Sequence, residues 1–499
     1  MKVSISYPPI ESEKGVPLLT QNRQFQWFNS PTYIYPMVPA YAATLLKSNG
    51  FDVMWDDAIA DGLTYSQWLE RIKKEKPDII AIETKTPVVK RHWEIIRDLK
   101  GLETGGQRLA TVLMGDHVTA LPEESLLNSD VDFVLTGGDY DFLLLSLCNY
   151  IKQSRTPNSE LRTNLEPGIW YRNNGKIKNT GSFQLNNDLD TLPFIDRNLT
   201  KWRSYSEKNG NYKRLPGTYT MVGRDCWYHK CTFCSWTTTY PQFRTRRPES
   251  LLAEIGNLIE SYGVREIMDD TGTFPVGDWL STFCKGMIEC GYNDKVFMDC
   301  NMRFGAVSGE EYKLMKDAGF RLLLFGIESA NQKTLDRLKK GLTVEKIIES
   351  CKQARYAGLY PHITIMFGYP WETYEDALNT LNLGKWLLKK GYAWTVQATV
   401  AIPYPGTPLF EECKSNNYLE TMDWDSYDMR EPVMKTPMPK AKVMELVQGI
   451  YSTAFNPEFL IRRAFAIRDI SDIKYFLRAG GKVFGHLMDF KTKAKEKNC

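Results

Sequence analysis

Hydrophobic and polar positions alternate along the first 151 residues in blocks typical of strands and helices in turn. Short β-rich runs such as KVSISY, DIIAIE and ATVLM are separated by stretches with helical spacing, among them YAATLLKSNG and LERIKKEKP. Strands that alternate with helices predict a parallel sheet with helices on both faces. We therefore expect residues 1–151 to form a doubly wound α/β domain.

Small and polar residues follow several of these predicted strands, where an open parallel sheet binds its ligands. They include Thr84 and Thr86 in ETKTP, Gly115 and His117 in GDH, and Gly137 in GGD. Each of these residue types is also common in ordinary turns. Together they mark one edge of the predicted sheet as a candidate ligand site.

The pattern changes after this first domain. Residues 152–214 are polar and rich in turn residues, which predicts a connector with a small hairpin. From 215 to 410, six β-like segments alternate with helices and predict a partial (β/α)6 barrel, whose chemistry would lie at the C-terminal ends of the strands. Residues 411–499 are predicted to be a helical C-terminal region.

Composition and charge narrow the choice of function. The 499 residues are 42% hydrophobic and 25% charged, as in ordinary globular proteins. A net charge of +3 gives no reason to expect a nucleic-acid partner. No apolar run has the length of a membrane span, and the N-terminus lacks the pattern of a secretory signal. We therefore predict a cytoplasmic location.

The C-terminal segment carries most of the positive charge. Between Asn456 and Cys499, ten Lys and Arg accompany five Asp and Glu, so the segment carries +5 and the rest of the chain −2. Apolar residues are interspersed with these charges: Phe459, Leu460, Phe465, Ile467, Tyr475 and Phe484. Three roles fit such a tail, namely contact with an anionic membrane, a cover over an apolar substrate, or a cap packed on the barrel.

Cys226, Cys231 and Cys234 lie close together in GRDCWYHKCTFC. A zinc site completed by His229 is one interpretation, but no second pair of ligands follows. The C-x4-C-x2-C spacing also occurs in plant-type [2Fe–2S] ferredoxins, yet the next cysteine, Cys284, lies in a strand and helix pattern unlike a ferredoxin. Three thiolates can instead hold three irons of a [4Fe–4S] cluster and leave the fourth iron open to a substrate.

The order of several phrases resembles the cobalamin-dependent branch of the radical S-adenosylmethionine (SAM) superfamily. The phrases are PDIIAIETKTP, MGDHVTALPEE, DLDTLPFIDR, the cysteine loop, LMKDAGFRLLLFGIES, MFGYPWET and PYPGTPLF. The layout is most similar to the anaerobic magnesium-protoporphyrin ester cyclase and hopanoid-processing group. The resemblance implies a cobalamin-binding domain over residues 1–151 and a radical SAM barrel over residues 215–410.

The resemblance also implies which residues hold the cofactors. The cluster ligands are Cys226, Cys231 and Cys234. The residues implied to contact SAM are Phe233 at the adenine, Asp269, Asp270 and Thr271 near the amino group, and Arg303 and Glu328, which are also the candidate catalytic residues. The last two could equally be ordinary ion-pair partners. The residues that match the loops around cobalamin are Thr84, Thr86, Gly115, His117 and Gly137.

Two features differ from the pattern of the superfamily. The usual cluster spacing is C-x3-C-x2-C, so this loop has one extra residue and is expected to bulge around His229 and Lys230. The D-x-H-x-x-G signature, whose histidine ligates cobalt in other enzymes, is absent. We therefore expect cobalamin to bind without a histidine ligand from the protein, and we do not assign His117 to that role.

The activity implied by the resemblance is reductive cleavage of SAM at the cluster, which yields a 5′-deoxyadenosyl radical. An electron donor such as flavodoxin or ferredoxin would supply the electron, and the radical would activate a carbon of a small-molecule substrate. The aromatic-rich chain and the basic tail favour a large apolar or lipid-like substrate. We expect C-methylation, with radical cyclisation or rearrangement of a tetrapyrrole or lipid-like substrate as the alternative. A non-catalytic cobalamin carrier or sensor with a structural cluster is a hypothesis from a different class.

Overall fold

The computed structural model describes residues 1–18, 25–29, 32–102, 109–154, 165–209, 212–450, 462, 465, 467 and 469–489. Its strands and helices confirm the predicted α/β architecture, with two sheets dominated by parallel strands. The hydrophobic core runs through both sheets and the helices packed on them.

The first sheet has the order β4-β1-β5-β6-β7-β8-β9. Its strands, with the small β2–β3 hairpin beside them, are β1 (Lys2–Tyr7), β2 (Val16–Pro17), β3 (Trp27–Phe28), β4 (Asp52–Asp57), β5 (Ile79–Glu83), β6 (Ala110–Met114), β7 (Phe133–Leu135), β8 (Ile169–Asn173) and β9 (Lys176–Asn179). Strands β4, β1, β5, β6 and β7 pair in parallel. The predicted connector hairpin is β8–β9, which joins the edge of this sheet by antiparallel pairing.

Helices cover the first sheet because its central strands are apolar on both faces, as strand β5 shows with five buried residues. They are α1 (Met37–Ser48), α2 (Ala58–Asp61), α3 (Tyr65–Glu75), α4 (Val89–Lys100), α5 (Asp116–Ala120), α6 (Pro122–Asn128), α7 (Tyr140–Ser154) and α8 (Arg203–Lys208). Short 3-10 turns lie at Thr86–Val88 and Leu189–Thr191. A capping box between Thr64 and Gln67 begins helix α3.

The second sheet is the predicted partial barrel, with the order β10-β13-β14-β15-β16-β17 and parallel pairing throughout. Its strands are β10 (Gly217–Thr220), β13 (Glu266–Asp269), β14 (Phe297–Met302), β15 (Phe320–Glu328), β16 (Tyr360–Phe367) and β17 (Thr395–Val400). The short strands β11 (Gly223–Arg224) and β12 (Arg244–Thr245) pair with each other beside it.

Helices connect the barrel strands on the outside. They are α9 (Trp236–Thr239), α10 (Pro248–Tyr262), α11 (Asp278–Glu289), α12 (Gly309–Asp317), α13 (Gln332–Arg337), α14 (Val344–Tyr356) and α15 (Tyr374–Lys390), followed after the last strand by α16 (Pro408–Ser415), a 3-10 turn at Trp424–Ser426, and α17 (Lys440–Gly449). Capping boxes at Ser308 and Thr373 begin helices α12 and α15.

The last described helix, α18 (Ile470–Asp489), packs against the barrel by one face. Asp472 is buried and forms ion pairs with two cations just before strand β10, Arg214 at 2.8 Å and Lys213 at 3.0 Å. Tyr475 is also buried, so part of the predicted helical cap is present. Phe459, Leu460 and the side chain of Phe484 lie outside the described residues. No helix in the described part of the chain combines the length and apolar character needed to cross a membrane.

Candidate active site

A cavity of about 520 Å³ is lined by residues of the barrel strands and of the loops that follow their C-terminal ends. Cys226, Cys231 and Cys234 all line it, in the loop between strand β11 and helix α9. The Cys226 sulfur lies 3.1 Å from the Thr273 hydroxyl, which follows strand β13. The extra residue of the loop is accommodated where His229 adopts a left-handed φ of +49°. The sequence therefore brings three thiols to one cavity.

The spacing of the three thiols bears on which metal group they could hold. In the part of the chain that the structure describes, no three His, Cys, Asp or Glu side chains are grouped closely enough for one ion. A tetrahedral zinc with Zn–S bonds of ~2.3 Å needs its sulfurs about 3.8 Å apart. Thiols that share a cavity without converging on one point suit a cluster, in which each sulfur binds a different iron. Three thiols at one cavity therefore match the ligand set of a [4Fe–4S] cluster.

Cys231 lies beside a buried cation that the sequence analysis missed. Burial raises the pKa of the Cys231 thiol, and the positive charge of Lys340 opposes that rise. Lys340 lines the same cavity, and its Nζ atom donates to Oε1 of Glu328 at 3.1 Å. Burial alone would lower the pKa of Lys340, but the Glu328 carboxylate outweighs it and the pKa is raised. Lys340 therefore keeps its charge next to the thiols.

Arg303 is held at the cavity by a stacked aromatic ring. Its guanidinium carbon lies 3.4 Å from the centre of the Tyr228 ring, in the cysteine loop. Its Nη2 atom also donates to the backbone carbonyls of Lys340 and, at 3.1 Å, Gly341. Both Arg303 and Glu328 line the cavity as predicted. Two cations and a carboxylate at one wall can bind the carboxylate and ammonium of an amino acid.

Of the other residues that were predicted to contact SAM, two line the cavity and two do not. Phe233 and Asp270 line the cavity. Asp269 instead accepts hydrogen bonds from Thr220 at 2.8 Å and from the Val222 backbone at 3.1 Å. Thr271 accepts one from the Gly223 backbone at 2.8 Å. Asp269 and Thr271 thus tie strand β13 to the start of the cysteine loop, and a contact of theirs with SAM stays a prediction.

Most of the remaining cavity wall is apolar or aromatic. The residues concerned are Phe28, Ile34, Tyr212, Tyr219, Met268, Met302, Phe304, Phe325, Met366, Tyr404, Met429 and Tyr475. Phe28 and Ile34 come from the segment around the β2–β3 hairpin, and Tyr475 comes from helix α18. Sequence analysis could not find the contributions of Phe28 and Ile34, because nothing in the barrel pattern indicates which distant segments cover its inner face. A cover over an apolar substrate was one of the roles considered for the C-terminal segment that holds Tyr475. His362 also lines the cavity, and burial lowers its pKa to about 4, so it is neutral near pH 7.

The predicted cobalamin loops lie at the edge of the first sheet that faces the barrel, but none of their five residues lines the cavity. Thr84 Oγ1 lies 2.7 Å from Nδ1 of His92, and Thr86 Oγ1 lies 3.1 Å from Nδ1 of His117. The other ring nitrogen of His117 lies 3.0 Å from Glu124. Burial lowers the pKa of His92 to about 3, so this histidine is neutral. The polar groups of these loops therefore already have partners within the chain.

Protein atoms also fill the space in front of the glycines of these loops. A Cβ atom on Gly115, whose φ is +120°, would lie 2.4 Å from the Thr84 carbonyl oxygen. One on Gly137 would lie 2.5 Å from the Phe183 ring, and one on Gly138 would lie 1.8 Å from the Tyr240 ring. The Trp424 ring packs on His117 with a centroid distance of 5.5 Å. These glycines therefore lie where the chain leaves no room for a side chain.

The comparisons with known proteins agree with the prediction of a radical SAM barrel that carries the cysteine loop. The family description "Radical SAM superfamily" matches residues 221–384. An "Uncharacterized methyltransferase PH0819" of Pyrococcus horikoshii is 28% identical over 440 residues, which cover 86% of this chain and 90% of that protein. An "Anaerobic magnesium-protoporphyrin IX monomethyl ester cyclase" of Cereibacter sphaeroides is 27% identical over 428 residues, which cover 83% and 65%.

Two solved structures share the fold of nearly the whole chain. The cobalamin-dependent SAM radical enzyme OxsB, with aqua-cobalamin and SAM bound, superposes with a TM-score of 0.67 at 15% identity, over 98% of this chain and 72% of OxsB. The radical SAM methyltransferase TsrM from Kitasatospora setae, with cobalamin and a [4Fe–4S] cluster bound, gives a TM-score of 0.63 at 16% identity, over 90% and 84%. This chain therefore has a radical SAM domain over residues 221–384 and shares the fold of these two structures along nearly its whole length.

Proposed function

We propose that this protein is a cobalamin-dependent radical SAM enzyme that methylates an unactivated carbon of a small molecule. The observation that carries the proposal is the meeting of Cys226, Cys231 and Cys234 with Arg303 and Glu328 at one cavity. Both the methyltransferase relative and the shared fold with TsrM support methylation. The cyclase relative supports the alternative, radical cyclisation of the substrate.

Each of these groups at the cavity has a distinct task in this proposal. Cys226, Cys231 and Cys234 would hold three irons of a [4Fe–4S] cluster, which when bound supplies the one-electron chemistry that cleaves SAM. Lys340 and Glu328 would bind the carboxylate and ammonium of the methionine part, because they present opposite charges at the wall beside Cys231. A flavodoxin or ferredoxin would deliver the electron from outside.

The cavity wall supports a large and mainly apolar substrate. Its aromatic and methionine side chains form the kind of surface that binds extended apolar ligands, and polar side chains such as Asn301, Gln397 and Thr399 among them can fix the orientation of a ligand. The Nδ1 atom of His362 and the Thr395 hydroxyl share a hydrogen bond of 2.8 Å. Because burial keeps His362 neutral, it adds no charge to this wall. An apolar wall also keeps water away from reactive carbon centres.

We also propose that helix α18 contacts a membrane surface. Ile470, Ile473 and Leu477 recur at helical spacing and are exposed, at 72%, 45% and 71%. Lys474 is exposed beside them, whereas Asp472 and Tyr475 face the barrel. An apolar stripe with adjacent basic charge is typical of helices that lie on anionic bilayers.

Formation of 5′-deoxyadenosine from SAM tests the enzymatic proposal. Anaerobically reconstituted wild type is compared with Cys231→Ala under a strong reductant, and the product is measured by mass spectrometry. Cys290→Ala is the matched control, because Cys290 is an exposed cysteine on helix α11's C-terminal side. We expect the wild type and the control to form the product and Cys231→Ala to lose it together with cluster iron.

Two results would contradict the enzymatic proposal. One is zinc in place of iron and sulfide in the reconstituted protein. The other is bound cobalamin without any 5′-deoxyadenosine, which would favour the carrier or sensor hypothesis. SAM labelled in its methyl group then separates methylation from cyclisation, because only methylation places the label in the product.

Sedimentation with phosphatidylserine vesicles tests the membrane proposal. Leu477→Asp is expected to weaken binding, since it places a charge in the apolar stripe. Leu127→Asp is the control, because Leu127 is 69% exposed on helix α6, away from the stripe. Equal binding by both variants, or no binding by the wild type, would contradict the proposal.

A further inference from the structure

The last two barrel strands present a row of uncharged side chains to the cavity. Strands β16 and β17 pair in parallel, and every second residue of each strand lines the cavity, because side chains alternate between the two faces of a strand. The residues form three opposed pairs, His362 with Thr395, Thr364 with Gln397, and Met366 with Thr399. We call these six residues the β16–β17 face.

Two polar groups of this face are available to a ligand. Thr399 is 2% exposed, and its Oγ1 atom has no hydrogen-bond partner within the described residues. A buried hydroxyl normally has a partner, because an unsatisfied one costs free energy. The side chain of Gln397, two positions earlier on the same strand, likewise makes no hydrogen bond within the described part of the chain. A bound molecule with a hydrogen-bonding group could satisfy both.

The charged side chains of the cavity all come from other elements. Among the described lining residues the cations are Arg303 and Lys340, and both contact the cysteine loop or its thiols. The carboxylates that line the cavity are Asp225, Asp270, Asp299 and Glu328. His362, the titratable residue of the β16–β17 face, is neutral near pH 7 because burial lowers its pKa to about 4.

This distribution of charge disfavours an anionic ligand at the β16–β17 face. A carboxylate bound there would meet no cation of that face, and elsewhere in the cavity the lining carboxylates outnumber the lining cations. Burying a charge without an opposite charge is costly, whereas an uncharged polar group needs only a hydrogen bond. Gln397 and Thr399 can both supply that bond, since an amide and a hydroxyl each donate and accept.

We propose that the β16–β17 face binds the substrate through an uncharged hydrogen-bonding group, such as an ester or ketone carbonyl, on an otherwise apolar molecule. The Gln397 amide and the Thr399 hydroxyl donate to this group, and the aromatic and methionine side chains of the cavity contact the apolar remainder. This inference rests on the proposed function and narrows its substrate class. It assigns the charged wall to SAM and the uncharged wall to the substrate.

Equilibrium dialysis of three naphthalene probes against the full-length protein tests the inference. The probes are methyl 2-naphthoate, an uncharged ester; 2-naphthoate, the corresponding anion; and 2-sec-butylnaphthalene, which has the shape of the ester without its oxygens. The reconstituted protein is saturated with SAM and kept without reductant, so that the charged wall is occupied and no turnover occurs. We expect wild type to bind the ester about tenfold more tightly than the anion.

Two variants remove the hydrogen-bonding groups with little change in shape, Thr399→Val and Gln397→Met. Each is expected to bind the ester about fivefold more weakly, as for the loss of one hydrogen bond between uncharged groups. Neither should change the affinity for 2-sec-butylnaphthalene or for SAM. Thr111→Val is the matched control, because Thr111 is buried on strand β6 of the first sheet and does not line the cavity.

Several results would overturn the inference. Tighter binding of the anion than of the ester is one, and absence of probe binding to wild type is another. Unchanged ester affinity in both variants would also contradict it, and equal weakening for the ester and the hydrocarbon would indicate a packing role. Weaker SAM binding in the variants would assign these side chains to SAM instead. Formation of 5′-deoxyadenosine needs no probe and therefore reports separately on the proposed function.

Discussion

The Nη2 atom of Arg224 donates a hydrogen bond to Oδ2 of Asp141 on helix α7, at 2.6 Å. This ion pair joins strand β11, beside the barrel, to the first domain. The Nη1 atom of Arg224 donates to Asp139 at 3.0 Å. All three side chains are buried, and Arg224 lies two residues before Cys226. The position of the cysteine loop relative to the first domain therefore depends on this ion-paired group.

Arg224→Ala is expected to destabilise the protein strongly. The change leaves the buried Asp141 carboxylate without its cation, whereas Asp139 keeps its pair with Arg244 at 2.6 Å. Breaking a buried ion pair from one side costs about 3–5 kcal/mol. The free energy of unfolding, from urea titration, measures this. Arg247→Ala is the control, since Arg247 is largely exposed and pairs with Asp190 at 3.0 Å. Equal decreases in the free energy of unfolding of the two variants would contradict the prediction that the buried Arg224 ion pair stabilises the protein more than an exposed one.

Lys340→Gln is expected to weaken SAM binding about tenfold or more, because it removes a buried charge that faces Glu328 and Cys231. Equilibrium dialysis with SAM on reconstituted protein measures the affinity directly. Lys339→Gln is the matched control, since the neighbouring Lys339 side chain is exposed. If Lys340→Gln binds SAM as tightly as wild type does, Lys340 has only a structural role, as the ion-pair partner of Glu328.

Glu372, in the loop after strand β16, is expected to make stability depend on pH. Burial raises its pKa to about 8, although the backbone amides of Gly368 and Tyr369 donate to it. A carboxyl whose pKa is raised by folding stabilises the fold while protonated. Its contribution is full below about pH 4.5, the ordinary value, and is lost as the pH rises to about 8.

The Glu372→Gln variant cannot ionise at this position. Between pH 5 and 8 we therefore expect wild type to lose stability relative to the variant, by up to about 1.4 kcal/mol per pH unit. Urea midpoints measured across this range test the prediction. Glu345→Gln, which changes an exposed carboxyl on helix α14, serves as control. Parallel pH profiles for wild type and Glu372→Gln would rule out this titration.

The alternation of strands and helices predicted both sheets because parallel strands that are covered on both faces must be apolar. The cluster loop was also predictable, since three cysteines in nine residues have few structural uses. The sequence could not show which strand-end residues face the cavity. Met268 and Asp270 line it whereas Asp269 between them does not, as expected for side chains that alternate along a strand.

Long-range contacts account for the other gaps in the sequence analysis. Lys340 looks like an ordinary residue in LKKGL, and only folding brings its charge to Glu328 and Cys231. Trp424 lies 300 positions from its acceptor Glu124, so no local pattern could reveal that it covers the first sheet. Residues that reach a site from far away in the sequence produce no hydrophobic periodicity that would identify them.

Asp472→Ala is expected to release helix α18 from the barrel. The change removes the buried carboxylate that Lys213 and Arg214 share, and Arg214 keeps only its pair with Asp469. Tyr475, one turn further along the helix, would then leave the cavity wall. Limited trypsin digestion, which cuts after Lys474 and Arg478, should become faster while the barrel stays intact. Asp469→Asn is the control, because Asp469 pairs with Arg214 at the surface and is half exposed. Equal cleavage rates in the two variants would mean that other contacts hold the helix.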